Sequence, residues 1–329
     1  MPTYVSPADA PTSAAIARRS RAFQVGLTLC IINTIIGAAQ PVITRWGAVH
    51  LDPLLFCTGA VVFATICTIP LLYFTGELRL VVDPRYRARL FVMSMTGTVM
   101  TSLTLTYGLT AIGAVAAVLL LQTEPVYSLV LSTIFVGERP SPRQLFATAM
   151  VLVGIGSVFG AGDSFSPLWA AAMLFVTPLF WQASHVMGLK LMPPLTPTSI
   201  AAGRFLYASI VLTATLLIFR RDSLAQLADP TALGVILVTG FFIYFLSALT
   251  WYGAINRLSL AWTTALVVPG IPILSSLFAV IFLGERVTTR EVIGILISVS
   301  GVVALVLGAD PHRKHPDFEA AEAIHEPLI

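Results

Sequence analysis

The 329 residues are 57% apolar and 11% charged, with mean hydropathy +0.88. A soluble domain carries about a quarter charged residues, so a soluble globular fold is excluded. The net charge of only +3 gives no basic surface for a nucleic-acid partner. Apolar runs of about 17 to 25 residues are too long for the short alternating strands of a transmembrane barrel, and the chain reads as an all-α integral membrane protein.

In chain order, residues 1–22 form a polar, Pro/Ala/Ser-rich tail carrying Arg18, Arg19 and Arg21. The run that follows is too long for a signal peptide and reads as a first anchor. Ten apolar segments are predicted, at about 23–45, 54–75, 88–110, 112–135, 144–161, 167–189, 198–219, 231–255, 260–283 and 290–308, each long enough for a ~30 Å hydrocarbon core. Asp52-Pro53, Asp83-Pro84, Ser141-Pro142, Ser166-Pro167, Thr196-Pro197 and Asp229-Pro230 each offer a capping side chain before a proline at the first helical position. Asn33, Gln40 and Pro41 lie in the first segment, and Gln122, Thr123, Glu124 and Pro125 in the fourth. Thr177, Pro178, Trp181, Gln182 and His185 lie in the sixth, Arg204 in the seventh and Pro272 in the ninth. Gly156 and Gly160 predict a close helix contact, with Gly294 and Ser298 a weaker pair in the tenth segment. Cys30, Cys57 and Cys67 have no metal spacing and read as small buried residues. Residues 309–329 are a second polar tail. Its His312 and His315 read as solvated, so no metal site and no cofactor is expected.

The chain repeats itself. Pro125–Arg139 and Pro272–Arg286 are related by an offset of 147 and are identical at seven of fifteen positions, including Gly137-Glu138-Arg139 and Gly284-Glu285-Arg286. Pro53 pairs with Pro197 at 144, Asp83-Pro84 with Asp229-Pro230 at 146, and Tyr107-Gly108 with Tyr252-Gly253 at 145. Residues 23–161 and 167–308 therefore read as two copies of a five-helix unit. Because five is odd, the second copy enters the membrane upside down, giving ten transmembrane helices as two inverted five-helix repeats. With a cytoplasmic N-terminus, thirteen of the nineteen Lys and Arg fall on the inner side, five on the outer, and Arg204 within a helix. A multi-pass protein of the cell inner (plasma) membrane with both termini cytoplasmic is expected.

Two copies of an apolar helix ending in Gly-Glu-Arg, each followed by a polar loop and another helix, resemble the EamA branch of the drug/metabolite transporter superfamily, over residues 23–308. The resemblance implies a carrier with a central cavity working by alternating access, mostly as an exporter of amino acids or other small metabolites.

The informative residues are those that break the repeat. Glu124 aligns with Ile271 and Arg204 with Ala60. A mid-membrane charge costs about 2.5–3.5 kcal/mol on insertion scales and should face a cavity or the bundle interior. Glu124 reads as a proton-coupling carboxylate, as the partner of a substrate ammonium, or as a protonated acid bonded to a neighbouring helix. Gln122 extends its polar patch. Arg204 reads as a snorkelling or ion-paired residue, or as the partner of a substrate carboxylate; facing one cavity, the two charges would hold the ends of a zwitterion. Asn33, Gln40, Gln182 and His185 are further candidates for the substrate pathway or its coupling, His185 as a pH sensor or as a structural histidine. Pro41, Pro125, Pro178 and Pro272 are expected to interrupt their helices. Trp181, Tyr107, Tyr127, Tyr244, Trp251, Tyr252 and Trp262 offer aromatic walls or interfacial anchors. Glu138 and Glu285 read as loop residues that cap the next helix, with gate residues as the alternative. The partners expected are a small-molecule substrate, the lipid bilayer and protons as the coupling ion. There is no Gly-x-x-x-x-Gly-Lys-Ser/Thr, His-Glu-x-x-His or Gly-x-Ser-x-Gly, so no enzyme is expected. Alternatives are an importer or exchanger of a vitamin or nucleotide-like metabolite and, in another class, a non-transporting membrane receptor or intramembrane enzyme.

Overall fold

The computed structural model describes residues 13–135, 141–158, 167–189, 191, 195–255, 257–258, 263 and 266–307. The regular elements among them are all helical. They are α1 (Ser13–His50), α2 (Pro53–Thr75), α3 (Leu78–Val82), α4 (Arg87–Ser94), α5 (Thr101–Ala111), α6 (Ala114–Leu121), α7 (Glu124–Phe135), α8 (Pro142–Gly156), α9 (Leu168–Leu189), α10 (Pro197–Phe219), α11 (Pro230–Val238), α12 (Ser247–Ile255), α13 (Gly270–Leu283) and α14 (Thr289–Leu307). A π-helical stretch, Met95–Met100, joins α4 to α5, and a second, Thr239–Leu246, joins α11 to α12. Among the described residues, six stretches are long and apolar enough to cross a membrane: Arg21–His50, Pro53–Thr75, Ala114–Leu131, Leu168–Gly188, Thr198–Phe219 and Pro230–Trp251.

The caps follow the sequence in most places. Asp52 accepts from Leu54 and Leu55 N–H, both at 3.0 Å, ahead of Pro53. Ser141 and Gln144 form a reciprocal capping box, and Thr196 accepts from Ser199 N–H at 3.1 Å. Asp83 differs: it accepts from Arg85 N–H at 2.8 Å in a turn, and α4 begins only at Arg87. The first helix begins at Ser13, well inside the expected polar tail.

Two equivalent pairs of the two halves, α2 with α10 and α8 with α14, pack antiparallel. At one end of the α2–α10 pair, Arg220 lies 3.6 Å from Asp52, whose N–H donates to Gln226 Oε1. At the other, Thr196 and Ser199 hydroxyls both donate to Glu77 Oε2 at 2.6 Å. Leu55, Phe56, Val61, Ala208, Leu212 and Leu216 fill the space between. The contacts also cross over reciprocally: α1 packs on α12 and α13, while α9 packs on α5, α6 and α7.

The α8–α14 seam is backbone to backbone. A Cβ on Gly154 would lie 2.7 Å from Gly294 O and Ser298 N, and one on Gly301 would lie 2.8 Å from Ala147 O. This corrects the sequence expectation. Gly156 is exposed and a Cβ there meets nothing within 4 Å; the glycine in the seam is Gly154, two positions earlier and on the other face. Gly160 lies outside the described residues.

The prolines give a second correction. Pro41 and Pro178 sit inside α1 and α9, whose helical pattern continues through them. One missing N–H is tolerated where neighbouring helices support the turn. The breaks lie instead at the turns Gln122-Thr123 and Val268-Pro269, just ahead of Pro125 and Pro272. Position 122 aligns with 269, so both halves break at the same place.

Glu285 follows the left-handed Gly284 (φ 65) and reaches across to α6, accepting from Ala114 N–H at 2.7 Å and Val115 N–H at 3.0 Å. A carboxylate there satisfies two orphan donors and complements the helix dipole. Glu138 lies outside the described residues. Two outcomes follow. In detergent melts, Gly154→Ala lowers stability by about 1–3 kcal/mol through overpacking, while Gly156→Ala does not. Glu285→Ala lowers it by about 1–3 kcal/mol by leaving two half-buried N–H groups without their charged acceptor.

Candidate functional site

A cavity of about 260 Å³ opens where α1, α9 and α10 meet the two π stretches and the two helix breaks. Both π stretches fall where the sequence halves correspond, and Thr96-Gly97 matches Thr239-Gly240 at an offset of 143. The sequence reading treated both as ordinary helix. The repeated Thr-Gly pair in mid-segment was the available signal. π turns carry an extra residue into one turn, widen the helix locally and recur at functional sites.

The cavity gathers most of the candidate residues. Asn33, Gln40 and Pro41 line it from α1, Gln122 and Glu124 from the α6–α7 break, Trp181 and His185 from α9, and Arg204 from α10. Gln182 does not line it but donates to Glu124 Oε1 at 2.8 Å, tying α9 to the start of α7. His185 lies three residues further on and is exposed. Gln122 is only 6% exposed, and its Nε2 has no hydrogen-bond partner.

Asn33 has a different task from a free pathway residue. Its amide donates to Ser247 O and Thr250 Oγ1, both at 2.9 Å, so it pins α1 to the start of α12. Arg204 does not extend to the end of α10. Its guanidinium donates to Gly97 O at 2.5 Å and to Thr98 Oγ1 at 3.4 Å, both in the first π stretch, while Ser94 Oγ donates to Arg204 O at 2.6 Å. A second link, Ser102 Oγ to Tyr244 OH at 2.9 Å, joins the two π-containing helices across the cavity.

Apolar surface completes the wall through Phe205, Tyr244 and Trp251 beside Trp181. Tyr127 stacks edge-on against Phe175 and stands off the cavity, as does Tyr107. Trp262 and the Tyr252 side chain lie outside the described residues. Pro125, Pro178, Pro272 and Glu285 also stand off it. The sequence reading did not anticipate Gly97, Thr98, Thr101, Ser102 and Ser247 in the lining. Among the described residues no cluster of His, Cys, Asp and Glu could hold a metal ion.

The wall thus presents one carboxylate, one guanidinium, one imidazole and several aromatic faces, with the Gln122 amide nitrogen buried behind it.

Comparison with known proteins places this architecture. The model of the EamA-like transporter family matches twice, over residues 24–160 and 168–307. An uncharacterized transporter of Archaeoglobus fulgidus is 27% identical over 56% of this chain and 64% of its own length. A second from the same organism is 23% identical over 66% of this chain and 77% of its own. An uncharacterized protein of Pseudomonas aeruginosa is 29% identical over 55% of this chain and 60% of its own. A solved crystal structure of a protein 15% identical superposes with a TM-score of 0.60, covering 88% of this chain and 98% of that one, a likeness of fold alone. With the family model matched in both halves of a chain rich in membrane-length apolar helices, this is a multi-pass membrane protein that belongs to the EamA-like transporter family, within the drug/metabolite transporter superfamily.

Proposed function

We propose that this membrane protein is a secondary active transporter, an exporter that moves a zwitterionic metabolite of amino-acid type across the inner (plasma) membrane by alternating access. One observation carries the reading. The two charged residues that depart from the repeat, Glu124 against Ile271 and Arg204 against Ala60, line the same cavity. The same helix break is built at Val268-Pro269 with no carboxylate, so the scaffold does not require Glu124.

In this reading residues 23–161 and 167–308 are two inverted five-helix units making ten crossings, with both termini cytoplasmic. The antiparallel pairing of α2 with α10 and of α8 with α14 supports the inversion. The unequal distribution of Lys and Arg supports the orientation. Glu124 receives the substrate ammonium and Arg204 its carboxylate, while Trp181, Trp251, Tyr244 and Phe205 hold the apolar body. One carboxylate holds either an ammonium or a proton, so the two compete, and that competition couples export to proton entry. A nucleotide-like solute fits less well, because one guanidinium does not offset two or more phosphate charges.

Three probes with one body and different charge test this: L-phenylalanine, phenethylamine and 3-phenylpropionate. In proteoliposomes, L-phenylalanine is expected to compete best against its own labelled flux. Arg204→Gln should weaken L-phenylalanine about 10- to 100-fold, as expected for losing a charge-assisted hydrogen bond. Glu124→Gln should abolish the response of flux to a pH gradient. Unimpaired flux with unchanged pH dependence in Glu124→Gln contradicts the assignment.

A further inference from the structure

Arg204 sits six residues into α10's side of the bundle, about 9 Å of helix from its expected start, within reach of a polar interface if its side chain extended that way. It turns instead to the first π stretch. We infer that Gly97 and Thr98 are positioning residues that set the charge selectivity of the cavity by holding the Arg204 guanidinium inside it; this rests on the zwitterion reading above.

Three observations carry the inference. The first is the bonding itself, in which one guanidinium spans the Gly97 carbonyl and the Thr98 hydroxyl. The second is space. A Cβ on Gly97 would overlap the Ser184 side chain, at 2.0 Å from its Oγ, and lie 3.0 Å from Arg204 Nη2, so the missing Cβ leaves room for Ser184 with the guanidinium at its margin. The third comes from the repeat. Gly240, the matching glycine of the second π stretch, packs against α2, where a Cβ would lie 2.5 Å from Ala60 O. Ala60 is the residue that aligns with Arg204. The same junction is therefore built once from backbone and alanine, and once around an arginine. The fold does not need a guanidinium there, and the first π stretch is adapted to hold one. Lysine would keep the charge but lacks the planar fork that spans two acceptors.

The test is direct binding of the three probes to the full chain in nanodiscs, reading the ratio of Kd for phenethylamine to Kd for L-phenylalanine. Thr98→Val keeps the side-chain shape; Gly97→Ala and Arg204→Lys complete the set. Thr98→Val and Arg204→Lys are expected to lower that ratio about tenfold, toward the value for Arg204→Gln, and Gly97→Ala, if it folds, does the same. A helix that is merely loosened weakens all three probes together and leaves the ratio in place, which overturns the inference. A discriminating wild type whose Thr98→Val and Arg204→Lys forms discriminate equally also overturns it, leaving the zwitterion reading intact. A wild type that does not discriminate overturns both.

Discussion

Charge inside hydrocarbon must meet water or a partner, and that requirement organises this molecule. Glu124 and Arg204 fall in the middle of apolar sequence, where each is costly to a lipid-facing surface. The structure turns both toward one cavity and gives each a neighbour, Gln182 for the carboxylate and the Gly97 carbonyl for the guanidinium.

The surrounding scaffold is a duplicated unit whose copies clasp each other. The first helix of each half packs on the later helices of the other, so the cavity is lined from both halves at once. Its irregular backbone lies there too: two helix breaks and two π stretches at corresponding positions. Such backbone is tolerated at membrane depth only where protein or a cavity covers it. The places where the copies differ, Glu124 against Ile271 and Arg204 against Ala60, are the places where a symmetric scaffold carries asymmetric chemistry.

Much of this was legible in the sequence because it rests on local, repeated signals. Proline after a capping residue marked the starts of α2, α8, α10 and α11, and charge in apolar runs marked Glu124 and Arg204. The rest depended on tertiary packing. Pro41 and Pro178 resemble helix breakers in sequence, yet helix continuity is decided by whether neighbours support the turn. Gly154 and Gly156 are alike in sequence and differ only in which face meets α14. The holding of Arg204 by Gly97 joins residues 107 positions apart, which no periodicity reveals.

The central claim is that Glu124 and Arg204 face one water-accessible space. In a chain lacking Cys30, Cys57 and Cys67, Glu124→Cys and Arg204→Cys introduced together should react with a charged, water-soluble thiol reagent and be joined by a short bifunctional one. Failure of either position to react, or reaction at both with no cross-link at any reagent length that spans the cavity, would contradict it.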